Sequence, residues 1–405
     1  MAENAKQNIF MLALAQALFL GCTVTNVTVI SLVGQKLAPT PDLATLPYAL
    51  VTVGVALSTV PASFFMKRFG RRAGFVSGAG LGVVSYSLGT IALFTGNFML
   101  MCIAAMLQGV FQATASYYRF AAVETKSGFS PGKAISLVLA GGAIAAFIAP
   151  MGTRWMNAAF TDVQYSGPYF YMIILAVTII IPLSMLKIPK PHDDETSGPQ
   201  RSLSVILKQP ATITAIFNGG AAWLLMVMIM GATPMAMHAR GFHFDHSSQV
   251  IQWHVLGMYL PSLITGTLIE RLGVLKLLTL GLLIIGVSAV VGYPGETLLH
   301  FGVSLALLGV GWNFLYVGAT TLLTQTYTPA EKAKTQAANE FVVFTMATTG
   351  AFLSGYLLNT IGWQNLMQVT GIVLLLAASV TLWYASICRR GPDNKCDATL
   401  INLKD

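Results

Sequence analysis

Charge is scarce in this sequence. Asp, Glu, Lys and Arg make up 9% of its 405 residues, against roughly a quarter in a soluble domain. That excludes an ordinary water-soluble globular protein. Acids are scarcest of all, 15 against 23 Lys and Arg. Only Glu124 and Glu340 lie near or within apolar runs, both toward the ends expected to face the cytoplasm. A drug–proton antiporter commonly carries a deep carboxylate, and none is evident. The four cysteines, Cys22, Cys102, Cys388 and Cys396, are scattered without CxxC spacing, so neither a disulfide framework nor a zinc site is expected. No nucleophile–base pair or nucleotide-binding loop stands out, which argues against an enzyme.

What is abundant is apolar sequence, 55% of residues with a mean hydropathy of +0.69. Long apolar runs separated by short polar connectors match membrane spans of about 20 residues. They are far too long for barrel strands, which leaves helices as the spanning form. Twelve spans are expected, in an all-α membrane protein with two six-helix halves. The first run, Asn8 to Gly34, is read as a span and not as a signal peptide. The longest polar stretch, "KIPKPHDDETSGPQRSLSVILKQP", divides the chain into an N-terminal half (1–188), a linker (189–209), a C-terminal half (210–390) and a tail (391–405). Within it, "RSLSVILKQ" suits a short amphipathic helix on the membrane surface.

Placing the N-terminus in the cytoplasm puts every Lys and Arg on cytoplasmic segments except Lys36, Arg154 and Arg240 outside and Arg119 in the fourth span. This positive-inside bias orients both termini to the cytoplasm. The net charge of +8 is thereby a topology signal and calls for no nucleic acid. Arg119 reads equally as a gate element or as a snorkelling anchor.

The two halves repeat. The loop after the second span reads "SFFMKRFGRR" (Ser63 to Arg72), and the loop after the eighth reads "GTLIERLG" (Gly266 to Gly273). Arg68 and Gly70 align with Arg271 and Gly273, an offset of 203 residues. This pattern resembles the G-x-x-x-[DE]-R-x-G-[RK]-[RK] loop of the major facilitator superfamily, whose transporters consist of two six-helix halves. The resemblance implies gating roles for Arg68, Gly70, Arg71, Gly266, Glu270, Arg271 and Gly273. In the first copy Ser63 replaces the glycine and Lys67 the acid, so the usual charge relay at that gate is not expected.

Methionine and histidine mark the C-terminal half. Met226 and Met230 are i,i+4 on the seventh span, and His254 and Met258 are i,i+4 on the eighth, so each pair shares a helix face. With Met235 to His246 taken as the external turn, the antiparallel spans put Met230 level with His254 and Met226 level with Met258. Three soft thioethers and one imidazole at one depth suit Cu(I). Met228 points away from that face. Met235, Met237, His238, His243 and His246 can form an external metal-collecting funnel or be ordinary loop residues. Methionine clusters are often packing filler, and a lone intramembrane histidine can be a packing residue or a proton relay. Met106, Gln108 and Gln112 on the fourth span are further candidates for the path.

The paired "MVMIM" (Met226 to Met230) and "HVLGM" (His254 to Met258) resemble motifs of the CcoA-type copper importers within the superfamily. The resemblance implies copper uptake across a bacterial inner membrane for haem–copper oxidase assembly. Copper is then the transported substrate and no cofactor is needed. The expected partners are copper, membrane lipid and a cytoplasmic copper chaperone, for a monomeric protein that binds no nucleic acid. The alternatives are an importer of an organic solute such as riboflavin, expected to lack these ligands, a drug–proton antiporter, and a membrane metal sensor or chaperone.

Overall fold

In hydrocarbon, a backbone N–H or C=O has no water to bond, so an apolar run satisfies its own backbone by forming a helix. The computed structural model describes residues 2–40, 43, 46–125, 128–160, 162–188, 199–242 and 244–390, and it is built of α-helices. They are α1 (Ala2–Leu37), α2 (Leu46–Phe69), α3 (Arg71–Thr95), α4 (Phe98–Ala115), α5 (Tyr118–Glu124), α6 (Pro131–Ala140), α7 (Gly142–Ala159) and α8 (Ser166–Ser184). After a five-residue α9 (Leu203–Leu207) come α10 (Pro210–His238), α11 (Phe244–Tyr259), α12 (Ser262–Leu272), α13 (Val274–Gly292), α14 (Leu298–Thr324) and α15 (Lys332–Arg390).

Ten stretches among the described residues are long and apolar enough to cross a membrane. The expected eighth span is absent from these because it is not continuous. It breaks between α11 and α12 at Leu260–Pro261, where proline lacks the N–H that would continue the helix and its ring crowds the preceding turn. The eleventh and twelfth spans run together as α15, interrupted only at Gly362 (φ 80°, ψ 173°). The external turn is also shorter than expected. Met235, Met237 and His238 belong to α10, and His246 belongs to α11. Cys388 is disulfide-bonded, which the scattered cysteine spacing gave no reason to expect.

The chain forms two compact units, Met1–Phe129 with Leu137–His192, and Ser130–Ser136 with Asp193–Asp405. In the first, α4 packs on α2 and α3, and α8 packs on α1 and α3. In the second, α14 packs on α10, α11 and α13, and α15 on α10 and α13. Large apolar side chains such as Phe10, Leu57, Met99, Val290 and Leu375 lie exposed, as lipid-facing positions do.

The repeat seen in the loops extends through the scaffold. Gly70 (φ 89°, ψ 161°) and Gly273 (φ 84°, ψ 158°) adopt one backbone conformation, open to glycine and strained for other residues. Asn97 Oδ1 caps α4 by accepting from the Leu100 N–H, and Thr297 Oγ1 caps α14 by accepting from the His300 N–H. Ser85 donates to the Ala104 carbonyl at 2.7 Å, and Ser288 donates to the Ser304 carbonyl at 2.7 Å. Gly54 meets Gly109 where α2 crosses α4, and Gly257 meets Gly309 where α11 crosses α14, each so closely that a methyl group would strike the facing backbone.

The linker helix α9 buries Ile206 completely while leaving Val205 half exposed. It packs on α10 and α15, so Ile206 is covered by the protein while Val205 faces outward.

Candidate functional site

His254 is wholly buried. Its Nδ1 lies 2.7 Å from the carbonyl oxygen of Leu305 on α14. A carbonyl only accepts, so Nδ1 carries the proton and donates. In the neutral ring Nε2 then holds a lone pair, and it has no hydrogen-bond partner among the described residues. Met258, one turn along, is buried beside it on α11.

Met226 is buried and Met230 half-buried on α10, but α10 and α11 touch only lightly. Each packs instead along α14, and α10 also along α15. No hydrogen bond links Met226 or Met230 to His254 among the described residues. Nor, among them, do three or more His, Cys, Asp or Glu side chains converge as a metal site. Met228 is fully buried, a packing residue rather than a lipid-facing one.

The described funnel residues differ in burial. Met235 is exposed, and Met237, two positions on, is fully buried. His238 is exposed, and His246 is half-buried with its ring 6.1 Å from that of Phe242. His243 lies outside the described residues.

The two loop repeats are built differently. In the first, Arg68 is exposed with its guanidinium over the Phe69 ring, while Arg71 is buried and grips Glu124 through Nη2 at 2.7 Å and Nε at 3.2 Å. Glu124 thus supplies the acid that Lys67 does not. In the second, Gly266 lies so close to the start of α6 that a Cβ would sit 2.5 Å from the Lys133 Cα. Exposed Glu270 accepts from Ser130 Oγ at 2.6 Å. Arg271 is exposed in the last turn of α12, where a cation suits the helix dipole.

Arg119 is buried and donates from Nη1 to the Ser116 carbonyl, with its guanidinium 4.6 Å from the Phe120 ring. It does not snorkel. Gln108 is buried, and Met106 and Gln112 are half-buried. Glu340 is wholly buried eight residues into α15 and accepts from Asn339 at 2.7 Å, so an acid does lie inside the C-terminal half.

The break between α11 and α12 is stitched by Asn313. Its amide donates to the freed Met258 carbonyl at 2.6 Å and to Ser262 Oγ, while its own oxygen accepts from Thr265 Oγ1 at 2.7 Å. Transporters commonly place substrate sites at such discontinuous helices.

Beside this break lies a cluster that sequence reasoning passed over. The Trp312 ring stacks on Tyr316 at 4.7 Å and meets Trp223 edge-on at 5.4 Å and Tyr259 at 5.8 Å. Trp223 also meets Tyr316 and Phe344, both at 5.7 Å. Helices α10, α11, α14 and α15 each contribute at least one ring. The indole N–H groups of Trp223 and Trp312 are buried and have no acceptor among the described residues. The signal in the sequence was tryptophan in mid-span, away from the interfacial belts where it concentrates.

The model of the Major Facilitator Superfamily matches residues 12–252 and 224–398. The chain is 37% identical over 367 residues to the riboflavin transporter RfnT of Brucella anthropi, covering 90% of this chain and 92% of that one. It is 28% identical to an uncharacterized MFS-type transporter, YdeG of Bacillus subtilis, over 93% of this chain and 92% of that one. Among solved structures, the human organic anion transporter MFSD10 superposes with a TM-score of 0.74 at 11% identity, covering 93% of this chain and 99% of that one.

Proposed function

The chain belongs to the major facilitator superfamily, and on that premise we propose that it imports an organic solute of the riboflavin class across the bacterial inner membrane by alternating access. Membership makes it a multi-pass secondary transporter and not an enzyme. The observation that carries the cargo assignment is the likeness to the Brucella riboflavin transporter along nine-tenths of both chains. The geometry supports it. A planar heteroaromatic ring is recognised by flat aromatic walls and a few fixed polar groups, and the cluster around Trp223 and Trp312 offers both.

Copper uptake is the second reading, and His254 favours it. A buried imidazole whose Nε2 lone pair meets no donor among the described residues suits a metal ligand, with the Met258 thioether one turn away. A copper chaperone and oxidase assembly belong to this reading alone. Against it, α10, the helix of Met226 and Met230, packs more heavily on α14 and α15 than on α11.

The test is uptake into proteoliposomes containing the purified protein, with labelled riboflavin and labelled copper supplied separately. Saturable riboflavin entry, competed by unlabelled riboflavin and unaffected by a Cu(I) chelator, is the expected result. Copper entry without riboflavin entry transfers the assignment to the second reading.

A further inference from the structure

We propose that Trp223 and Trp312 bind the ring system of the cargo directly, each indole N–H donating to a carbonyl oxygen or bare ring nitrogen of a planar heteroaromatic solute. This rests on the riboflavin-class reading above and assigns the residues that would read its ring.

Buried tryptophan usually finds an acceptor for its N–H. Trp363 shows the rule in this chain: buried like Trp312, it donates to the Gly292 carbonyl at 2.7 Å. Asn313, next to Trp312, bonds through both its nitrogen and its oxygen. Two indole donors with no acceptor among the described residues, on rings only 5.4 Å apart, form a pair of unmade donors in one place. An unmade buried hydrogen bond is costly, and a ligand supplying the acceptor removes that cost.

The chemistry of the pair selects the ligand. An indole N–H donates only and has no lone pair for a metal, so these groups call for an acceptor. An aromatic cage alone would also hold an organic cation, but a quaternary cation offers nothing to the two N–H groups. A fused flavin-like ring offers a flat face to stack and an edge of carbonyl oxygens and ring nitrogens to accept. Trp312 is 1% exposed, whereas Trp223 is half-buried, so the cluster runs from the interior to an accessible ring. Tyr259, in the same cluster, ends α11 at the helix break.

The experiment titrates riboflavin against purified full-length protein in detergent and follows quenching of flavin fluorescence. Trp223→Phe and Trp312→Phe keep an aromatic ring and delete the N–H. Each is expected to raise the Kd about tenfold, the effect of one lost hydrogen bond. Lumichrome, the ring system without its sugar-alcohol chain, should show the same losses. Trp363→Phe should lower the melting temperature and leave the Kd unchanged. In the wild-type protein labelled with nitrogen-15, two of the six tryptophan indole N–H resonances should move downfield on saturation with riboflavin, a readout that does not depend on the variants folding. Variants that bind as tightly as wild type, or indole resonances that stay in place at saturation, overturn this inference and leave the cargo reading standing. A wild-type protein that neither binds nor takes up riboflavin overturns both.

Discussion

Arg201 and Glu331, on the linker and on the turn before α15, hold each other through two charge-assisted bonds, Nε to Oε1 at 2.8 Å and Nη2 to Oε2 at 2.6 Å. The Glu331 carboxylate also accepts from the backbone N–H groups of Arg201 and Thr328, and its side chain is 1% exposed. Burial alone would raise its pKa. The bonds from Arg201 and from the two backbone N–H groups, with the charge of Arg201, outweigh burial and hold it down at about 2. The same bond to Glu331 raises the pKa of Arg201.

A carboxyl whose folded pKa is lowered stabilises the fold above its unfolded pKa and loses that contribution as pH falls through the folded value. Glu331→Gln should therefore cost about 3 kcal/mol at neutral pH, the usual effect of breaking a buried pair. The gap from wild type should shrink between the ordinary carboxylate range and about pH 2. Melting temperatures of both proteins in detergent across that range check it; a gap that is constant with pH refutes the linkage.

The glycine crossings make a packing prediction. A methyl group at Gly257 would lie 2.5 Å from the Ala306 carbonyl oxygen, whereas one at Gly286 meets nothing within 4 Å. Gly257→Ala should destabilise by about 1–3 kcal/mol, as overpacking does. Gly286→Ala should be neutral or slightly stabilising by helix propensity. Gly54→Ala, whose methyl would lie 2.5 Å from the Met106 carbonyl oxygen, should behave like Gly257→Ala. Thermal unfolding of the three variants reads the difference, and equal melting temperatures would show that the helices can part without cost.

Asn313 holds the broken helix together, so Asn313→Leu leaves Met258, Ser262 and Thr265 without that partner. A loss of about 2 kcal/mol is expected, with riboflavin uptake falling further than the amount of folded protein. Uptake normalised to folded protein separates the two effects. A parallel fall in both would make the bracket purely structural.

Methionine substitutions distinguish the two cargo readings. Leucine replaces methionine at a cost under about 1.5 kcal/mol. Met226→Leu, Met230→Leu and His254→Gln should each leave riboflavin uptake within about twofold of wild type, since Gln can still donate to the Leu305 carbonyl. If copper is carried, the same three variants should lower copper entry while fully buried Met228→Leu does not.

Spans, halves and the loop repeat were legible in the sequence because each depends on hydropathy or local spacing. Gly70 and Gly273 aligned as letters and proved to share a backbone conformation. Long-range choices were not legible. The i,i+4 spacing of Met226 with Met230 fixed a shared helix face, but it could not say that α10 would pack more heavily on α14 and α15 than on α11. Pro261 was visible, yet proline also sits inside α2, α7, α8 and α10 without ending them. The aromatic cluster draws residues from 223 to 344, and no local pattern announces a meeting of that separation.

The matched serine bonds, caps and glycine crossings describe a scaffold made twice, but its contents were not duplicated. At the offset that relates Ala104 to Ser304 and Gly109 to Gly309, the counterpart of Trp312 is Gln112, a residue with no aromatic face. One half offers a stacking surface and the other a hydrogen-bonding amide. The two halves are thus equal as frames and unequal as surfaces: the repeat fixes where a side chain stands and leaves open what that side chain is.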